Sequence, residues 1–440
     1  MGYILALALF LRLVLINQSL WLDEAIQALA LMGRMGPLLS YALADYQPPL
    51  YHFLGYATTQ LFGYSELVLR LPSLLAGVLT VYFVAKIGEL VGSRKVGLIA
   101  GLLAATNPLL IYYSQEGRTY ALTAFLVTAS FYYFIQLVKD KNASKLASIS
   151  YLLFTTAFLW TSYLSWFALL AQGIYVIWQK RSDLLTIQIG SALTLLFWLP
   201  SFIASLDIGR STMTSSPEWS QVVGGLTWKS LPLTWVKFNI GRIGFDNKWL
   251  YAALVAVMAV LHLHILRRLN YKKYLILLMW AVFPVILGLI TAGVIPVYSY
   301  FRVLFVLPAY LLLLAIGSEH ASTKFASMLV VIQLVCLVIF WFSPRYHRED
   351  WRALVQDLPV GASLAMPSRA QSAPLLYYSI TRPIIEPSHE DLSGARVYYI
   401  RYAEDLFDVH RLGRANFERS GYTISKQQVY SGIQVDIYEQ

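Results

Sequence analysis

Asp23 and Glu24 stand side by side in Trp21-Leu22-Asp23-Glu24-Ala25, directly after the first apolar segment of a chain that otherwise avoids charge. A carboxylate at the edge of a bilayer is costly to desolvate, so it marks a site more often than it decorates a surface. Placed there, Asp23 can act as general base toward a hydroxyl. Glu24 can orient substrate or share a divalent cation, since oxygen ligands suit Mg²⁺ or Mn²⁺. The plainer reading is two acids favouring the dipole of a helix first turn. A lone Asp-Glu dipeptide does not choose between these.

Some twenty residues on comes Asp45-Tyr46-Gln47-Pro48-Pro49-Leu50-Tyr51. The proline pair stiffens a turn and fixes polar side chains at the membrane edge, so Asp45 and Gln47 are candidate substrate or metal contacts. Proline also enters helices well at a first position, which would make this only a helix-entry turn. His52 reads as a packed interfacial histidine. The second dense cluster is Tyr112-Tyr113-Ser114-Gln115-Glu116-Gly117-Arg118-Thr119-Tyr120. Arg118 offers a planar fork for phosphate oxygens, and Glu116 can bind a metal or hold that arginine. Arg302, after Tyr298-Ser299-Tyr300, can join in neutralising a phosphate or simply snorkel. Metal candidates are Glu24, Asp45 and Glu116, for a divalent cation such as Mg²⁺ or Mn²⁺, with a metal-free site as the alternative.

These residues are carried by apolar segments. The chain has 440 residues, 58% hydrophobic and 13% charged, against roughly 25% charged for a soluble domain. Its 30 Tyr and 12 Trp suit interfacial belts. The net charge of +10 lies in short basic loops rather than a nucleic-acid footprint. The single cysteine, Cys336, excludes an intrachain disulfide and a cysteine metal site. The first segment reads as a retained anchor, although Arg12 interrupts it.

Eleven spans are expected, at about 3–20, 71–91, 96–113, 119–137, 146–162, 163–178, 184–203, 249–266, 273–292, 300–317 and 324–342. With a cytoplasmic N-terminus, the loops carrying Arg94 and Lys95, Lys139 to Lys145, Lys180 and Arg181, and Arg267 to Lys273 all come out cytoplasmic. That parity requires residues 48–63 to lie in the interface without crossing. The fold class is thus an all-α polytopic membrane protein, residues 1–343, with a small extracytoplasmic α/β domain at 344–440. The first outer loop covers about 17–70 and a large outer loop about 204–247, the latter rich in Ser, Thr, Gly and Trp and read as a flap. In the tail, Asp350-Trp351-Arg352 opens a helix; Ala362–Pro367, Arg396–Ile400 and Gln434–Tyr438 read as strands.

No Gly-rich nucleotide cradle is present. An outward-facing enzyme has no access to cytosolic nucleotide sugars, so its donor must arrive attached to a lipid.

At these residues the chain resembles the membrane glycosyltransferases of GT-C architecture that use polyprenyl-phosphate sugars, on the branch related to protein O-mannosyltransferases and lipid A aminoarabinose transferases. The likeness runs through Leu20–Ala25, Gln47–Tyr51, Arg70-Leu71-Pro72-Ser73-Leu74-Leu75-Ala76-Gly77, Ala105-Thr106-Asn107-Pro108 and Tyr112–Tyr120, then more loosely through Tyr300–Leu304 to Asp350-Trp351-Arg352. The resemblance implies an inverting transfer in which an acceptor hydroxyl attacks the anomeric carbon and lipid phosphate leaves. By it Asp23 is the base and Glu24 its motif partner. Glu116 and Arg118 match the second outer-loop position, and Arg302 matches the phosphate-contacting arginine. Gln47 departs from relatives with Glu or His before the proline pair, and Asp45 compensates. The donor is a mannose-like polyprenyl-phosphate sugar, the acceptor a glycan, glycolipid or protein, and the setting a bacterial inner or plasma membrane. A flippase or transporter would instead carry buried mid-membrane charges and inverted repeats. A polysaccharide polymerase or ligase would leave Asp23 and Glu24 without a task.

Overall fold

Among the described residues, seven helices are long and apolar enough to cross a bilayer: Glu66–Val91, Thr119–Lys139, Ser182–Ile208, Lys248–Leu266, Leu275–Ala292, Leu304–Ala321 and Thr323–Phe342. The pair Arg94–Thr106 and Pro108–Ser114, bent by 59°, makes an eighth if it is one span. The other three expected spans fall on shorter apolar helices, Gly2–Leu13, Lys145–Leu159 and Tyr163–Trp178. The chain is an integral membrane protein, with seven or eight full-length spans among the described residues where the sequence suggests about eleven. The computed structural model describes residues 1–33, 35–215 and 225–440. Leu50–Phe62 is a helix of 13 residues, about 20 Å long and too short to cross. Within 204–247, residues 216–224 lie outside the described residues. The rest of that segment includes the end of the helix Leu199–Ser215 and the helix Ser230–Ile240, where the sequence suggests a flap.

Two units make up the chain. The first comprises Met1–Ile16, Leu39–Gly63 and Val68–Phe340; the second comprises Asn17–Leu38, Tyr64–Leu67 and Trp341–Gln440. The second thus takes in parts of the first outer loop as well as the tail.

In the first unit, Arg12 has a structural use that the interrupted apolar pattern does not suggest. Pro108 has no N–H, so the carbonyl of Ala104, four residues before it, loses its helical donor. Asn107 draws the next donors away: its Oδ1 accepts from Leu109 N at 3.1 Å and Leu110 N at 3.0 Å. Arg12, fully buried, supplies what is missing, donating to Ala104 O at 3.3 Å, Ala105 O at 3.2 Å, Ala8 O at 3.0 Å and Ser114 Oγ at 3.1 Å. Away from water each unmet carbonyl would cost several kcal/mol, so this charge repairs a broken helix. Gly77 provides the room, because a Cβ there would overlap Ser114 Oγ and lie 2.9 Å from Arg12 Nε. Gly77→Ala should therefore destabilise by about 1–3 kcal/mol. Gly190→Ala, with nothing within 4 Å, should be neutral or slightly stabilising. Thermal unfolding of both variants in detergent checks the pair, and equal midpoints would contradict the packing argument.

The second unit contains a five-stranded mixed sheet in the order β2-β1-β3-β5-β4: β1 Ser363–Ala365, β2 Ile384–Ile385, β3 Arg396–Ile400, β4 Thr423–Tyr430 and β5 Ile433–Glu439. β1 runs parallel to β2 and β3, while β5 is antiparallel to β3 and β4. Alternation along β3 sorts the two cores: Tyr398 and Ile400 pack with Trp351, Leu354 and Leu375, and Val397 and Tyr399 with Phe417 and Tyr438. The helix Trp351–Asp357 begins as expected, with Asp350 accepting from Ala353 N at 3.1 Å. β4 escapes the sequence pattern because it is an edge strand exposed along most of its length, with no buried face to enforce alternation.

Candidate functional site

The proline turn builds the centre of the first cluster. The backbone N–H of Asp45 closes the preceding helix on Tyr41 O at 2.9 Å. Pro49 precedes the helix Leu50–Phe62, whose first N–H donates to Trp160 O at 3.0 Å. The turn brings fully buried His52 back onto Asp45, Nε2 to Oδ2 at 2.9 Å. Tyr41 meets the His52 ring edge-on at 5.1 Å and accepts from Arg118 at 3.5 Å. Burial pushes the Asp45 carboxyl up, but the bond to His52 and the charge of Arg118 outweigh it and hold the group below its ordinary value. Arg118 thus lies within electrostatic reach of Asp45, and His52, read from the sequence as packing, pairs with that carboxylate. Gln47 Oε1 is buried with no partner among the described residues.

A lowered folded value means stabilisation that is complete above the ordinary value of 3.8 and lost as pH falls through the folded one. Thermal unfolding midpoints should drop in that acid window, and Asp45→Asn should flatten the drop. An unchanged profile would contradict the charge assignment.

Ser73 ties this cluster to the helix Glu66–Val91. Its hydroxyl lies 2.8 Å from Tyr51 Oη and donates to Arg118 O at 3.2 Å. Leu15 adopts φ 62°, uncommon outside glycine. The turn around it is held by Arg70 donating to Ile16 O at 2.6 Å and Gln115 donating to Arg12 O at 2.9 Å. The dense 112–120 motif is thus partly scaffolding.

Glu116 is buried, and its charge acts on Arg242, a residue the sequence did not single out. Arg242 donates to Tyr112 Oη at 2.5 Å and lies over the same ring, 4.7 Å from its centroid. Burial works against its charge, but Tyr112, Tyr113, Tyr300 and Glu116 together raise it above an ordinary arginine. Burial and Arg242 lower Lys237 to about 8, so both side chains are cationic at neutral pH. Arg302 lies 5.9 Å from the Phe301 ring, which packs on Tyr113 at 5.8 Å and Tyr120 at 5.1 Å. Arg242 and Arg302 therefore border one aromatic cluster. Nothing in Gly241-Arg242-Ile243-Gly244 resembles a motif, so only its fold neighbours reveal it.

Asp23 and Glu24 belong to the second unit, in the first turn of the helix Leu22–Met32. The Glu24 carboxylate lies 3.5 Å from the guanidinium of Arg348, both side chains buried. The charge of Asp23 reaches Tyr402, whose hydroxyl donates to Glu349 Oε1 at 3.3 Å. Burial, then Glu349, then Asp23 push the Tyr402 hydroxyl up. Among the described residues no three His, Cys, Asp or Glu side chains gather to hold a metal ion.

The family model described as dolichyl-phosphate-mannose-protein mannosyltransferase matches residues 46–206. A search of the curated proteins finds no match. Among solved structures, ArnT from Cupriavidus metallidurans bound to undecaprenyl phosphate shares 11% identity with a TM-score of 0.61, covering 99% of this chain and 97% of that one. Its apo form gives 12% and 0.60 over the same shares. The archaeal oligosaccharyltransferase AglB from Archaeoglobus fulgidus, solved with an inhibitory peptide and a dolichol-phosphate, shares 12% with a TM-score of 0.55, covering 99% of this chain and 74% of that one. The fold is that of the GT-C glycosyltransferases. The resemblance read from the sequence holds: over residues 46–206 by family pattern, and over nearly the whole chain by fold.

Proposed function

We propose that the protein is an inverting glycosyltransferase that moves a sugar from a polyprenyl-phosphate donor to a hydroxyl acceptor at the outer face of a bacterial inner membrane. The observation that carries this reading is Arg118, bonded to Tyr41 and within electrostatic reach of the Asp45–His52 pair at the proline turn, in a chain whose fold matches ArnT almost end to end. In the reaction the acceptor oxygen bonds to the anomeric carbon as the bond from that carbon to the phosphate oxygen breaks. Asp23 takes the hydroxyl proton. Arg118, Arg242 and Arg302 offset the charge that grows on the departing phosphate. Asp45 keeps Arg118 in place. The unpartnered Gln47 Oε1 suits a hydroxyl donor on substrate, since buried acceptors are rarely left unmet. No step is routed through a metal.

The sugar proposed is mannose-like, a reading supported by the family match over residues 46–206, and the acceptor proposed is a glycan, glycolipid or protein. An ¹⁸O label in the oxygen bridging sugar and phosphate tests the chemistry. The label is expected in free polyprenyl phosphate, with the product anomer inverted. Label kept by the sugar, or a retained anomer, would contradict the mechanism.

A further inference from the structure

The segment 348–352 is fastened to residues 17–24 at successive points. Gln18 Oε1 accepts from Arg348 N at 2.9 Å, and Ser19 Oγ accepts from Arg352 N at 3.2 Å. The Arg352 guanidinium donates to Asn17 O at 3.3 Å and to Glu66 at 2.6 Å. Tyr378 Oη accepts from Leu20 N at 3.0 Å and donates to Glu66 at 3.0 Å. At the end of this seam lies the buried pair of Arg348 and Glu24.

Burying two charges against each other is weak evidence for stability, because their desolvation offsets most of the attraction. Adjacent residues on a helix point about 100° apart. Fixing Glu24 therefore fixes the bearing of Asp23. A carboxylate already facing a guanidinium is also a poor proton acceptor, so Glu24 is given no proton-transfer role.

We propose that Arg348 is a positioning residue: by holding Glu24 it sets the direction in which Asp23 presents its carboxylate to the acceptor. This makes the tail segment that carries Arg348 a support for the helix of Asp23, and it rests on the reading of Asp23 as base.

The full-length protein, supplied with glycan, glycolipid and peptide acceptors and with the polyprenyl-phosphate sugar that the wild type turns over, is assayed for release of polyprenyl phosphate as wild type, Arg348→Ala, Arg348→Lys and Asp23→Asn. Misplacing a reacting group by about 1 Å can cost roughly 10²-fold. Arg348→Ala is expected to lose kcat on that scale with KM for the donor little changed, and Arg348→Lys is expected to recover part of kcat. Wild-type kcat in Arg348→Ala would overturn the proposal. So would a kcat loss that Arg348→Lys does not restore although both variants elute as folded protein by size exclusion. If Arg348→Ala does not fold, Arg348→Gln takes its place in the same comparison, and wild-type kcat in that folded variant overturns the proposal. Full activity in Asp23→Asn would overturn the base reading and the proposal with it. Loss in Asp23→Asn beside unaffected Arg348 variants would overturn positioning alone.

Discussion

Asp23→Asn is expected to lower turnover by about 10²–10⁴-fold, the range that a positioned general base contributes. The substitution keeps size and the capacity to accept a hydrogen bond, so the helix Leu22–Met32 should form as before. KM for the lipid donor should change little, because the carboxylate acts on the acceptor. Glu24→Gln should cost much less than Asp23→Asn, since Glu24 faces Arg348 and a neutral amide still accepts from a guanidinium. Equal losses in the two variants would contradict the division of roles. Initial rates at saturating donor, with matched size-exclusion profiles, make the comparison.

The second large effect falls at Arg118. Arg118→Met should reduce kcat by about 10²–10³-fold, as expected when one donor to a developing oxyanion is removed. Arg118→Lys should recover only part, because an ammonium lacks the planar fork that grips two phosphate oxygens. The substitution also removes the charge that helps hold Asp45 ionised. Asp45→Asn should be milder, and the double variant should fall short of the summed losses by about 0.5–3 kcal/mol, as coupled neighbours do. Strict additivity would mean that Asp45 does not act through Arg118.

The bundle was legible because a bilayer demands long apolar helices, and all eleven expected spans fall on helices or on the bent pair. Arg12 shows the limit of that logic. Hydropathy records it as an interruption, whereas its use depends on Pro108 depriving Ala104, 92 residues away in sequence, of a donor. Residues 204–247 misled for a compositional reason: Ser, Thr, Gly and Trp mask the helix Ser230–Ile240, which Asn107 of another segment grips at Phe238 O, 2.8 Å. The candidate acids were visible as charges in an apolar chain, with Asp45 beside the proline-turn motif and Arg118 within the 112–120 motif. Their partners were not. His52, Arg242 and Arg348 lie in no motif, and Arg348 meets Glu24 from the opposite end of the chain. Pairings at such separations are set by topology, which periodicity does not encode.

The central claim is that the donor is a sugar carried on a polyprenyl phosphate. Purified wild-type protein incubated with synthetic polyprenyl-phosphate mannose, and with a panel of other sugars on the same lipid, tests it by the appearance of free polyprenyl phosphate. Release from at least one donor, lost in Asp23→Asn, is the predicted result. No release from any member of the panel by folded wild-type protein supplied with glycan, glycolipid and peptide acceptors would contradict it.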